Sequence, residues 1–167
     1  MLFIPDLLAY FLTGKKQTEY TIASTGQLLD ARTGKWSEEI IKTFGLPRGI
    51  FGDIVAPGTV CGTLLPQVKE EVGALSAKVI SVAAHDTGSA VVSVPAATDK
   101  FIFISSGTWS IMGTETKAPV VTDASQRHNF TNEGGYGNTI RFSKNITGLW
   151  LEQESRRQWE REGEKFT

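Results

Sequence analysis

Short apolar runs alternate along this chain with polar breaks that carry glycine or proline, a pattern of many brief elements rather than a few long ones. Two runs stand out. Lys78-Val79-Ile80-Ser81-Val82-Ala83-Ala84 and Lys100-Phe101-Ile102-Phe103-Ile104 are predicted to be buried strands. Between them residues 87–94 are small and apolar, which predicts a helix packed close to the sheet. At the N-terminus, residues 5–13 are predicted to form a core helix that starts near Pro5 and ends at Gly14. Residues 18–29 are ambiguous and compatible with helix. A turn follows at 30–35, then a short helix after Ser37 that Gly45 ends. Residues 46–58 read as a wandering loop, 59–64 as a strand and 66–73 as a helix. Trp109 to Thr116 fits the return strand of a hairpin, 119–127 a loop, 138–143 a short strand, and 148 onward a helix that becomes strongly polar.

Composition narrows the picture. The 167 residues are 40% hydrophobic and 21% charged, which is globular. Seventeen basic and 18 acidic residues leave a net charge of −1 with no basic run, so there is no electrostatic footprint for nucleic acid. The apolar N-terminus is too short to span a bilayer and lacks a basic leader, which predicts no membrane association. The single Cys61 cannot form an internal disulfide and fits the cytoplasm. A chain that opens on a hydrophobic helix predicts that something upstream is missing.

Each strong strand stops at small, polar, reactive residues, as in α/β folds whose ligands sit beyond strand ends. The first stops at His85-Asp86, the second at Ser105-Ser106-Gly107-Thr108-Trp109-Ser110. Asp86 has two readings: the N-cap of the next helix, or a general base that takes a proton from an attacking hydroxyl. A carboxylate is a weak base near neutrality, yet it suffices where positioning dominates, as in phosphoryl transfer to alcohols. His85 is either a structural donor or a group that orients substrate. Gly107-Thr108 is either a plain turn or a phosphate cradle, in which Gly107 admits close approach and the Thr108 hydroxyl binds phosphate oxygens. Residues 131–135 and 144–148 read as polar turns. Within them Asn145 is an amide able to read a sugar hydroxyl, with Gln153 two helical turns further on. No metal-ligand spacing is present.

Together, Ile4-Pro5-Asp6, Leu12-Thr13-Gly14, Glu19-Tyr20-Thr21, Thr25-Gly26-Gln27-Leu28, Trp36-Ser37, Pro57-Gly58 and His85-Asp86-Thr87 resemble the FGGY carbohydrate kinases. His85-Asp86-Thr87, with residues 105–110, 131–135 and 144–151, is most similar to the branch acting on L-rhamnulose. The resemblance implies an α/β, actin-like and ribonuclease H-like fold, here partial: residues 1–95 end the N-terminal, sugar-binding domain and 96–167 start the C-terminal, ATP-binding domain. It implies transfer of the ATP γ-phosphate to the 1-hydroxyl of L-rhamnulose, with Mg2+ bridging the phosphates. Asp86 would be the proton acceptor. His85, Thr87 and Asn145 would join it at the sugar, and Gly107, Thr108 and Gln153 would meet the nucleotide. Family members are nearly three times as long, so the chain is expected to be an inactive central fragment. Three alternatives remain: another sugar kinase of the family, an actin-like nucleotide-binding module without kinase activity, and a hydrolase pairing His85-Asp86 with Ser105 or Ser106.

Overall fold

A computed structural model describes residues 1–73 and 76–164. Helix α1 (Ile4–Thr13) has Pro5 in its first turn, and Gly14 closes it at φ +72°, donating its N–H to the Tyr10 carbonyl. Strand β1 (Thr18–Glu19) runs into α2 (Tyr20–Ser24), which Glu19 caps by accepting from the Thr21 and Ile22 N–H groups. The predicted turn at 30–35 joins β2 (Leu29–Asp30) to β3 (Lys35–Trp36) as a hairpin. Ser37 caps α3 (Glu38–Thr43) by accepting from Ile40 N–H at 3.3 Å. After a 3-10 turn (Arg48–Ile50), β4 (Ile54–Val55) pairs with β1 in parallel. Strand β5 (Val60–Thr63), α4 (Pro66–Val72) and β6 (Lys78–Ile80) follow, with β5 and β6 antiparallel. Helix α5 (Asp86–Val92) leads to β7 (Phe103–Ser106) and β8 (Trp109–Thr116), the predicted hairpin. The chain continues through α6 (Asp123–Arg127), β9 (Thr131–Gly134), a 3-10 turn (Tyr136–Asn138), β10 (Ile140–Thr147) and α7 (Trp150–Arg161).

The last four strands form one antiparallel sheet in the order β7-β8-β10-β9. The mixed α/β character holds, although among the described strands the only parallel pair is β1–β4. One apolar core lies under α2 and α3: Ala23, Trp36, Ile41 and Phe51 are buried together, flanked by Phe3, Leu28 and Ile54. The Trp36 indole tilts against Phe51 at 5.0 Å and donates its N–H to Gly52 O at 2.7 Å, so its polar edge is satisfied.

Several local readings change. The run 78–84 is a strand only over Lys78–Ile80, and Ile80 and Val82 are exposed, because among the described strands β5 is its one ladder partner. The second run is displaced to Phe103–Ser106, with Ile102 and Ile104 exposed. The outer face of α1 (Ile4, Leu8, Phe11) is likewise open rather than core. Residues 119–127 are not all loop: a capping box of Thr122 and Ser125 nucleates α6. Residues 131–134 and 144–147 are strands, not turns, because Asn132 lies opposite Phe142 and Asn145 opposite Ile111, and ladder pairing overrides the turn preference of asparagine. Among the described residues no helix is long and apolar enough to cross a membrane.

Candidate functional site

The site begins with a buried carboxylate. Glu19 is fully buried and accepts from Thr21 N–H (2.8 Å), the Thr21 hydroxyl (2.6 Å), Ile22 N–H (3.1 Å) and Ala84 N–H (3.1 Å). The same Thr21 hydroxyl accepts from His85 N–H at 3.2 Å. One anion therefore starts α2 and pins the segment that delivers His85 and Asp86. Behind it, Asp6 accepts from Glu19 N–H at 3.0 Å.

His85, not Asp86, occupies the N-cap position of α5. Asp86 lies in the first turn of the helix, its Oδ1 accepting from Thr87 N–H at 2.7 Å, with the side chain 96% exposed. The carboxylate thus faces outward at a helix start, where negative charge is favoured. Thr87 is buried beside it.

The His85 ring is held from the other side by the four-stranded sheet. Arg141 Nη2 lies 2.6 Å from His85 Nδ1, and Glu133 Oε2 lies 3.3 Å from that nitrogen and 3.1 Å from Arg141 Nη2. His85 Nε2 is 3.5 Å from Asp86 Oδ1. Arg141 is only 1% exposed, and its Nε donates to Gly134 O at 3.1 Å. In register, Arg141 faces Glu133 on β9 and Glu115 on β8. Burial, the strongest influence on Glu133, pushes its carboxyl up, but the polar groups around it, the Arg141 charge and the Thr131 hydroxyl among them, outweigh it and hold the group below the usual carboxylate range. Burial likewise draws Arg141 below the ordinary guanidinium value against the pull of Glu133 and Glu115. The two sides also meet where Gly134 N–H donates to Ser24 Oγ at 2.7 Å. A Cβ on Gly134 would lie 2.5 Å from the Tyr20 ring, so only glycine allows this approach.

The Gly107-Thr108 turn forms a second cluster. Leu149 and Trp150 donate their N–H groups to Gly107 O (2.9 Å) and Thr108 O (3.0 Å), docking the start of α7 on the turn. Gln153 Nε2 reaches Thr108 Oγ1 at 3.4 Å, which unites two of the predicted nucleotide residues. Asn145 is exposed on β10 and shares the sheet face of Arg141 by the period-two rule, about 13 Å along the strand. Ser106 Oγ pairs with Ser110 Oγ at 3.2 Å, while the His85 ring is engaged by Arg141, Glu133 and Asp86, and among the described residues neither Ser105 nor Ser106 is hydrogen-bonded to that ring. Sequence reasoning named Glu19 and Glu133 only within larger motifs and missed Arg141. The available signal was weak: a lone arginine in Ile140-Arg141-Phe142-Ser143, on the face opposite Ile140 and Phe142.

Comparison with known proteins fits this geometry. Residues 1–93 match the FGGY family of carbohydrate kinases, N-terminal domain, and residues 102–167 match its C-terminal domain. A rhamnulokinase of Bacteroides thetaiotaomicron is 52% identical over 95% of this chain and 33% of its own length. One from Bacillus subtilis is 43% identical over 95% of this chain and 33% of its own. The chain therefore spans about a third of the length of the curated relatives it matches. Among solved structures, xylulose kinase from Lactobacillus acidophilus superposes with a TM-score of 0.80 at 18% identity, over 93% of this chain and 31% of that one. Plasmodium falciparum glycerol kinase with ADP gives 0.75 at 19% identity, over 92% and 32%. These two likenesses speak for the actin-like fold.

Proposed function

The chain belongs to the FGGY family of carbohydrate kinases, and from that premise we propose that it serves a cytoplasmic, ATP-dependent kinase that phosphorylates L-rhamnulose at its 1-hydroxyl. The single observation that carries the reading is the open Asp86 carboxylate at the start of α5, backed by the buried Glu19 and Arg141 and the partly buried Glu133. The choice of sugar is supported by the rhamnulokinases at 43% and 52% identity. In this reading residues 1–95 end the sugar-binding domain and 96–167 begin the ATP-binding one.

Asp86 takes the proton of the sugar 1-hydroxyl as its oxygen bonds to the γ-phosphorus. The bond from that phosphorus to the β–γ bridging oxygen breaks, and ADP leaves. His85, Thr87 and Asn145 position the sugar, while Gly107, Thr108 and Gln153 meet the nucleotide. Among the described residues no three His, Cys, Asp or Glu side chains converge to hold a metal ion. Mg2+ would enter with the triphosphate and supply charge neutralisation at the phosphoryl oxygens.

A chimera tests the reading: residues 1–167 replace the matching third of the Bacteroides thetaiotaomicron rhamnulokinase. It should form ADP in the presence of L-rhamnulose, and Asp86→Asn should lower that turnover by about 10²–10⁴-fold while sparing ATP binding. Unchanged turnover in Asp86→Asn would remove Asp86 from the chemistry. Nucleotide binding without any sugar-dependent turnover in the parent chimera would favour a non-catalytic nucleotide module.

A further inference from the structure

Two groups place opposite demands on His85 Nδ1. Arg141 Nη2, at 2.6 Å, belongs to a guanidinium that only donates. Glu133 Oε2, at 3.3 Å, belongs to a carboxylate that only accepts when ionised. The ring nitrogen can offer a lone pair to the first or a hydrogen to the second, not both. The distances decide. At 2.6 Å two facing N–H groups would collide, whereas a lone pair there makes a short charge-assisted hydrogen bond. Glu133 Oε2 then keeps the charge of Arg141 Nη2 at 3.1 Å and accepts no hydrogen bond.

Arg141 cannot swing away from this task. Its side chain is 1% exposed, and its Nε is tied to Gly134 O at 3.1 Å. Glu133 and Glu115 flank it in register, and the backbone of α5 backs onto it, since a Cβ on Gly88 would lie 3.6 Å from Cζ. The charged groups facing the ring or the guanidinium are Glu133, Asp86, Glu115 and Glu19.

We infer that Arg141 is a positioning residue that locks His85 as the neutral Nε2–H tautomer, so that the ring presents a donor toward Asp86. The Nε2 atom lies 3.5 Å from Asp86 Oδ1, and its hydrogen complements the carboxylate. The opposite tautomer would turn a lone pair on that anion. Because His85 and Arg141 come from the two separately matched segments, the tautomer also reports that both sides are assembled. The functional consequence rests on the proposed role of Asp86; the tautomer itself does not.

Long-range 1H–15N correlation spectra of the full chain labelled with 15N-histidine read it directly, with His128→Gln assigning the two histidines. At pH 7 the His85 Nε2 resonance should be of the protonated type and Nδ1 of the lone-pair type. Arg141→Met removes the donor and should give a protonated Nδ1 facing Glu133, whereas Glu133→Gln should keep the Nε2–H form. A protonated Nδ1 in the parent chain overturns the inference, and so does a folded Arg141→Met with unchanged nitrogen shifts. If Arg141→Met does not fold by circular dichroism, the parent and Glu133→Gln spectra decide. A chimera without turnover leaves this result intact, so the two readings fail separately.

Discussion

Asp6 is a buried acid whose ionisation opposes the fold, and Asp6→Asn isolates its contribution. The side chain is 3% exposed, Oδ1 accepts from Glu19 N–H at 3.0 Å, and Oδ2 is buried without a hydrogen-bond partner. Burial, with the nearby Glu19 charge adding to it and two backbone N–H groups opposing it, pushes the carboxyl from 3.8 up to about 6. In the unfolded chain the group titrates near its ordinary value of about 3.9. The folded chain therefore binds this proton more tightly. The resulting stability is fully present below about pH 4 and is lost as pH rises through about 6. A shift of roughly two units corresponds to about 3 kcal/mol. Asparagine keeps the Oδ1 acceptor and nearly the same volume but never ionises. It also leaves an amide N–H without a partner, which costs about 1–2 kcal/mol at every pH. The difference in unfolding free energy, Asn variant minus parent, should thus rise by about 2–3 kcal/mol between pH 4 and pH 7.5. Urea titrations followed by tryptophan fluorescence can measure it, with buried Trp36 as a reporter. A gap that is the same at both pH values would refute the assignment, whatever its absolute size.

Two further substitutions probe the supports of the site. Glu19→Gln turns a donor amide toward backbone N–H groups that now meet a carboxylate, and should cost about 2–4 kcal/mol in a urea titration, with faster amide exchange at Thr21 and Ala84; a loss within error would show that the buried anion is dispensable. Gly148→Ala would place a Cβ 2.4 Å from Gly107 O and 2.5 Å from Ser110 Oγ, so it should destabilise by about 1–3 kcal/mol and speed amide exchange at Leu149 and Trp150, which normal protection there would contradict.

What could be read from the sequence follows the range of the forces involved. Local signals were faithful. Pro5 and Gly14 bracket α1, Ser37 caps α3, and the Gly107-Thr108 turn joins β7 to β8. The motif ending at Asp86 was visible because its residues are adjacent. The strand at 138–143 was legible, but 131–134 and 144–147 were misread as turns because asparagine and glycine carry turn preferences that a cross-strand partner overrides. The Arg141–His85 contact spans 56 positions and leaves no local trace. Burial of the strongest apolar runs was overstated at Ile80, Val82, Ile102 and Ile104, where hydrophobic sequence is not matched by a packed neighbour. Hydrophobicity marks a surface able to be covered; it does not supply the cover.

The site is asymmetric, and the asymmetry fits the proposed chemistry. Behind Asp86 everything is fixed: Glu19 and Arg141 are buried, and Glu133 is close to it. In front, the carboxylate is 96% exposed. A base that worked through strong desolvation would need a closed pocket around its own side chain. A base in phosphoryl transfer needs chiefly a fixed position, since the proton leaves late and charge on the phosphoryl group is met by other donors. A rigid back therefore matters more than a dry front in the resting chain. Water must still be excluded at the moment of transfer, and that is the work of substrate and of closure around it. The contacts of Arg141 with His85 and of Gly134 with Ser24 join the two matched segments. In the proposed reading they hold the loop of the base from one matched segment while anchored in the other, so relative movement of the two would reach the His85 ring directly.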